Sequence, residues 1–189
     1  MIGSDPQKMK IEDFALDEAH PIRDTLRTAF RVPDEVRVRL HRGGRPAWFL
    51  EMSWDGTETV SCGDRFFGEP DPDGFSLVAS RKGSPAGYLS AALTPDPAGG
   101  GTAQVEMIQV DADRRGERIG SALAAGLVEL LLREADRRLA AGLEPEPWAI
   151  TADTASEPAG RLIGRLERVI EAELDERFRR FEEGEGPAP

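Results

Sequence analysis

The sequence is poor in the residues that most often carry chemistry unaided. Its 189 positions hold a single cysteine, Cys62, which excludes an intrachain disulfide and fits a reducing, cytoplasmic setting. No His or Asn stands near Cys62, so it reads as packing rather than as a nucleophile. Only two histidines are present, His20 and His41. With no C-x-x-C and no H-x-x-x-H, no metal is expected, and both read as helix or turn residues rather than bases. No apolar run approaches the about 20 residues of a membrane span, and no signal-peptide pattern opens the chain, so no membrane partner is expected. Positive charge is scarce as well: 24 Lys and Arg stand against 35 Asp and Glu, a net charge of −11. That balance argues against a general nucleic-acid surface.

Against this acidic background one short basic cluster stands out. The stretch Val105 to Leu132 opens with VEMIQV, β-branched and apolar enough for a strand, and turns through DADRRGE. Ile119, Leu123, Leu127, Leu130 and Leu131 then recur at helical spacing. Gly116 and Gly120 flank the point where that helix begins, and Arg114, Arg115 and Arg118 lie in or beside the turn. Free amides at a helix N-terminus, glycines that allow close approach and three guanidinium groups together describe a phosphate cradle. Neither G-x-G-x-x-G nor a closing G-K-[ST] is present, so the phosphate is not that of a dinucleotide fold or a P-loop.

The stretch resembles the acyl-CoA-binding motif of the GNAT superfamily of N-acetyltransferases, roughly V-x-P-x-x-R-G-x-G-I-G-x-x-L. Val110, Arg115, Gly116, Ile119, Gly120 and Leu123 match it. Ala112 replaces the proline, and Arg118 stands where the core motif has its first glycine. A second segment is similar to the N-x-x-A-x-x-L-Y that follows the next strand in this family: Ser156, Ala159 and Leu162 take the first three motif positions and Ile163 the tyrosine's. Ser156 reads either as a stand-in for the asparagine or as the cap of a helix with Pro158 just inside it.

The resemblance implies acetyl-CoA as co-substrate and a primary amine, on a small molecule or a protein, as acceptor. Its cofactor contacts would be Arg115, Gly116, Arg118, Ile119, Gly120 and Ser121 at the diphosphate, Ile108 and Val110 through main-chain groups along the pantetheine arm, and Ser156. Glu106, four residues before Val110 on the same strand, is the candidate general base, with Asp153 in reserve. The family's tyrosine often protonates the leaving thiolate; Ile163 cannot, and Tyr88, the one tyrosine of the chain, is placed on another strand. A degenerate relative that keeps the cradle as a CoA sensor or interaction scaffold is the alternative to an enzyme.

The rest of the chain fits an α/β (α+β) fold with a GNAT-like mixed sheet. A helix is expected over residues 11–30, broken near Pro21. VRVRL at 36–40 alternates with period two and pairs in a hairpin with AWFLEMSW at 47–54, where Trp48 and Trp54 read as sheet packing. Residues 55–74 form a long loop around Phe66 and Phe67. A second hairpin joins 75–80 to 87–93, and a glycine-rich turn enters the central strand. A central βαβα unit then runs through the helix 119–140 and the strand 148–151, the latter parallel to the first through a helical crossover.

After Leu162 the pattern departs from the family's closing strands. Ile163, Leu166, Ile170, Leu174, Phe178 and Phe181 mark one long amphipathic helix. Its stripe is buried either on its own domain or against a second chain, so a homodimer or a partner through this helix is open. A single domain over 1–183 and a disordered tail over 184–189 complete the expectation.

Overall fold

The structure, a computed structural model, describes residues 20–42, 74–96, 100–152 and 157–184. Helix α1 (Ile22–Phe30) begins after Pro21, whose φ of −53° suits a helix start. The part of the expected helix before residue 20 lies outside the described residues. Strand β1 (Val36–Arg42) turns Val36, Val38 and Leu40 to the core and leaves Arg37 and Arg39 exposed, as period-two alternation requires. His41 therefore belongs to a strand, not to a turn.

The sheet contains β1, β2 (Gly74–Arg81), β3 (Ser84–Pro95), β4 (Gly101–Val110) and β5 (Trp148–Ala152), in that order. The first four are antiparallel neighbours and β5 runs parallel to β4. Between β2 and β3, Lys82 and Gly83 make a two-residue turn with φ of 51° and 80°, the left-handed pair that a tight hairpin needs. The sheet partner of β1 among the described residues is β2; the hairpin expected with 47–54 and the loop 55–73 fall outside them. β4 starts four residues earlier than VEMIQV, because Gly101 to Gln104 pair with β3 on one side and β5 on the other.

Helix α2 (Ile119–Ala140) lies across one sheet face. It buries Leu123, Leu127, Leu130 and Leu131 almost completely, each a contribution of about 1.5–3 kcal/mol. Its approach is close: a Cβ on Gly126 would stand 2.9 Å from Cγ1 of Val38, and one on Gly87 2.8 Å from Cγ2 of Ile119. Helix α3 (Glu157–Glu182) packs its Ile163, Leu166, Ile170 and Leu174 mainly against α2, with a smaller contact to β5. The stripe is thus buried within the chain, on a helix more than on the sheet. α1 covers another flank of α2, and Arg165 of α3 ties to it through the Ala29 carbonyl and the face of Phe30.

Candidate acyl-CoA site

Two backbone irregularities shape the end of β4. The ladder with β3 sets Ser90 opposite Met107 and Ala91 opposite Val105, so Glu106 is the extra residue of a bulge. A bulge bends its strand and adds twist. The parallel ladder with β5 stops at Val105–Ala152, so β4 from Glu106 to Val110 runs on without a strand on that side among the described residues. β5 itself ends at Ala152, level with the residue before the bulge.

Main-chain direction follows from alternation along the strand. The Asp111 amide donates to the Ala86 carbonyl, and the Gln109 carbonyl faces Gly87, both toward β3. Ile108 and Val110 consequently direct their N–H and C=O groups to the open edge. Their side chains, half-buried on the α2 side in register with Leu89 and Gly87, pack at the core's margin.

Beyond Val110 a short 3₁₀ turn (Ala112–Arg114), capped by the Asp111 carboxylate accepting from the Asp113 amide, leads into the basic turn. Gly116 takes φ of 85° in open space, with nothing near the position of a Cβ. Arg118 is left-handed too, at φ of 63°. The departure from the glycine motif thus falls where a glycine's backbone is still used, at a cost of about 1 kcal/mol.

Among the described residues no side chain caps α2. Its first hydrogen bond runs from the Ala122 amide to the Arg118 carbonyl, which leaves the amides of Ile119, Gly120 and Ser121 without helical acceptors. Gly120 is flanked by Val110 and by Leu162 of α3, the latter at 3.4 Å from where its Cβ would be. The side chains of Arg115 and Arg118 are exposed and make no hydrogen bond or ion pair among the described residues, whereas Arg114 lies 3.7 Å from Glu117. Open amides, two uncommitted guanidinium groups and a free strand edge fit the diphosphate and the amide arm of a CoA ester.

Glu106 is exposed at the bulge, and its Oε2 accepts a hydrogen bond of 2.7 Å from Oγ of Ser90, which is itself buried. Tyr88, two residues before Ser90 on the same face, is buried; its hydroxyl donates to Oε1 of Gln109 at 3.3 Å and touches Sδ of Met107 at 2.9 Å. Ile163 is a buried core residue of α3. Ser156 and Asp153 lie outside the described residues. Ser90 and Arg81, which contacts the basic turn through Glu117, carry no mark in the sequence: their roles come from cross-strand register and from a side chain reaching across the fold. Among the described residues no cluster of three His, Cys, Asp or Glu side chains could hold a metal ion, and no helix is long and apolar enough to cross a membrane.

Residues 39–150 match the model of the acetyltransferase (GNAT) family. No curated protein matches the sequence significantly. Similar solved structures include a ribosomal-protein-alanine N-acetyltransferase from Brucella melitensis biovar Abortus 2308, with 21% identity over 69% of this chain and 90% of that one and a TM-score of 0.46. A transcriptional regulator from Bacillus halodurans C-125 has 21% identity over 69% and 91% of the two chains, with a TM-score of 0.43. An aminoglycoside N-acetyltransferase in complex with CoA has 15% identity over 69% and 89%, with a TM-score of 0.40.

Proposed function

Because this chain belongs to the GNAT acetyltransferase family, whose members are acetyl-CoA-dependent N-acetyltransferases, we propose that it transfers an acetyl group to a primary amine of a small molecule or a protein. The observation that carries the reading is the pairing of a helix N-terminus without a side-chain cap with the edge of β4 from Glu106 to Val110, which has no strand beside it among the described residues. In this reading the amides of Ile119, Gly120 and Ser121, with Arg115 and Arg118, hold the diphosphate. The outward main-chain groups of Ile108 and Val110 take the amides of the pantetheine arm, and Ser156 helps at the start of α3.

Acetyl-CoA, when bound, supplies the thioester whose carbonyl carbon the amine attacks. An ammonium acceptor must first lose a proton, and the Glu106 carboxylate, held on the sheet by Ser90, receives it directly or through water. Neither Ile163, sealed in the core, nor Tyr88, whose hydroxyl is engaged with Gln109, stands in for the family's tyrosine as acid. The leaving thiolate departs without a dedicated acid, which a thiol pKa of about 8.5 permits.

The test combines binding and turnover. CoA should raise the melting temperature, and native mass spectrometry should find it bound. Acetyl transfer to spermidine, an aminoglycoside or a peptide with N-terminal alanine should fall about 100-fold in kcat in Glu106→Gln, with KM for acetyl-CoA little changed. No binding of CoA at millimolar concentration would sink the reading. A CoA-binding protein without transferase activity is the second reading, favoured by the buried Ile163; CoA binding with no transfer to the whole amine panel would select it. Homodimerisation, a protein partner and a cytoplasmic location go with either reading.

A further inference from the structure

An acid is out of place in a turn that receives a diphosphate, yet Glu117 sits between Arg115 and Arg118. Residues 111–118 hold three acids (Asp111, Asp113, Glu117) and three arginines (Arg114, Arg115, Arg118), so the turn is formally neutral by itself. In a chain of net charge −11 that leaves nothing to spare for an anion.

The missing positive charge comes from the end of β2. Nη1 of Arg81 lies 2.6 Å from Oε2 of Glu117, an oxygen buried from solvent, and Nη2 of Arg81 lies 2.6 Å from Oε1 of Glu35. The Glu35 side chain is 40% exposed, so water screens much of its charge, whereas the Arg81–Glu117 contact is more shielded, at 23% and 27%. Arg114, at 3.7 Å, faces the same carboxylate. Glu117 is thereby tied to the sheet by Arg81 and flanked within the turn by Arg114, and the exposed arginines that remain, Arg115 and Arg118, set the potential before the open amides of α2.

We propose that Arg81 is a positioning residue for acyl-CoA: it holds and masks the Glu117 carboxylate so that the basic turn keeps a positive face. The inference rests on the reading of this corner as the diphosphate site. It does not require an acceptor or turnover to be tested.

The experiment is calorimetric titration of CoA into the full chain and into Arg81→Gln, Glu117→Gln and the double variant, each at about 0.05 M and about 0.5 M salt. Arg81→Gln should bind CoA about fivefold to tenfold more weakly at low salt, with a smaller loss at high salt. Glu117→Gln should bind at least as tightly as the parent, and the double variant should return to its level. Unchanged affinity in Arg81→Gln overturns the proposal, as does a double variant no better than Arg81→Gln, which would mean a merely structural role. If circular dichroism finds Arg81→Gln unfolded, the comparison of Glu117→Gln with the parent decides, and weaker binding overturns the proposal. Failure of the parent chain to bind CoA is a separate result, and it overturns the diphosphate reading itself.

Discussion

The two ends of α2 use arginine in opposite ways. Toward its C-terminal half, Glu129 and Asp136 gather cations from three helices. Arg23 of α1 binds Glu129 at 2.7 Å and Arg133 joins it at 2.8 Å, while buried Arg177 of α3 makes two bonds to Asp136, at 2.7 and 2.9 Å, and one to the Glu173 carboxylate at 3.0 Å. At its N-terminus the side chains of Arg115 and Arg118 face solvent with no partner among the described residues. Buried Arg177 and half-buried Arg23 and Arg133, each matched to a carboxylate, lock α1, α2 and α3 together, since a lone buried charge is costly. Exposed arginines beside unbonded amides do nothing for the fold, and are therefore available to a ligand. The difference separates framework from candidate site.

Three changes would break or sharpen that contrast. The largest effect belongs to the framework: Arg177→Ala strands Asp136 and Glu173 and should cost about 3 kcal/mol in urea unfolding, with CoA affinity retained in the folded fraction. A loss under 1 kcal/mol would mean that this network is incidental. Next, Arg115→Gln with Arg118→Gln should leave stability within about 0.5 kcal/mol but weaken CoA about tenfold at low salt, a loss that salt erases. Equal binding by parent and variant would leave the basic turn without a ligand role.

The smallest effect concerns His20, whose Nε2 lies 3.3 Å from Oδ2 of Asp136. Burial holds its pKa below the ordinary 6.5, with Arg133 and Arg177 adding to the depression and Asp136 and Glu129 opposing it. The unfolded chain then binds the proton more readily than the folded one. Stability should therefore decline as pH falls through 6.5 toward the lower folded value, and level off below it. In His20→Gln the same titration of unfolding free energy should be flatter; an identical slope would remove His20 from the account.

Much of the fold was legible because local patterns carried it. The heptad-like leucines of 119–140, the alternation of Val36, Val38 and Leu40, and the long stripe from Ile163 to Phe178 each became the expected element. The corner proposed as the cradle was legible as local structure for a similar reason: a strand, a glycine-bearing basic turn and a helix are contiguous in the chain. The bulge at Glu106 was not, because a bulge is a mismatch between two strands and neither sequence marks it alone. The partner of Glu106 was hidden likewise, since Ser90 meets it only through the β3–β4 register.

Arg118 shows where pattern and structure trade information. By sequence it is a lost glycine; in three dimensions the backbone keeps glycine's left-handed turn and adds an exposed cation. What the sequence alone determined is what short-range periodicity and turn chemistry can encode: the elements, their order and the amide-lined start of α2. Tertiary structure alone decided which charges were spent and which were left over. Arg81 reaches Glu117, and Arg177 reaches Asp136, only after distant segments have packed. Electrostatic pairing depends on distances in space, and a linear chain does not specify those until its core has formed.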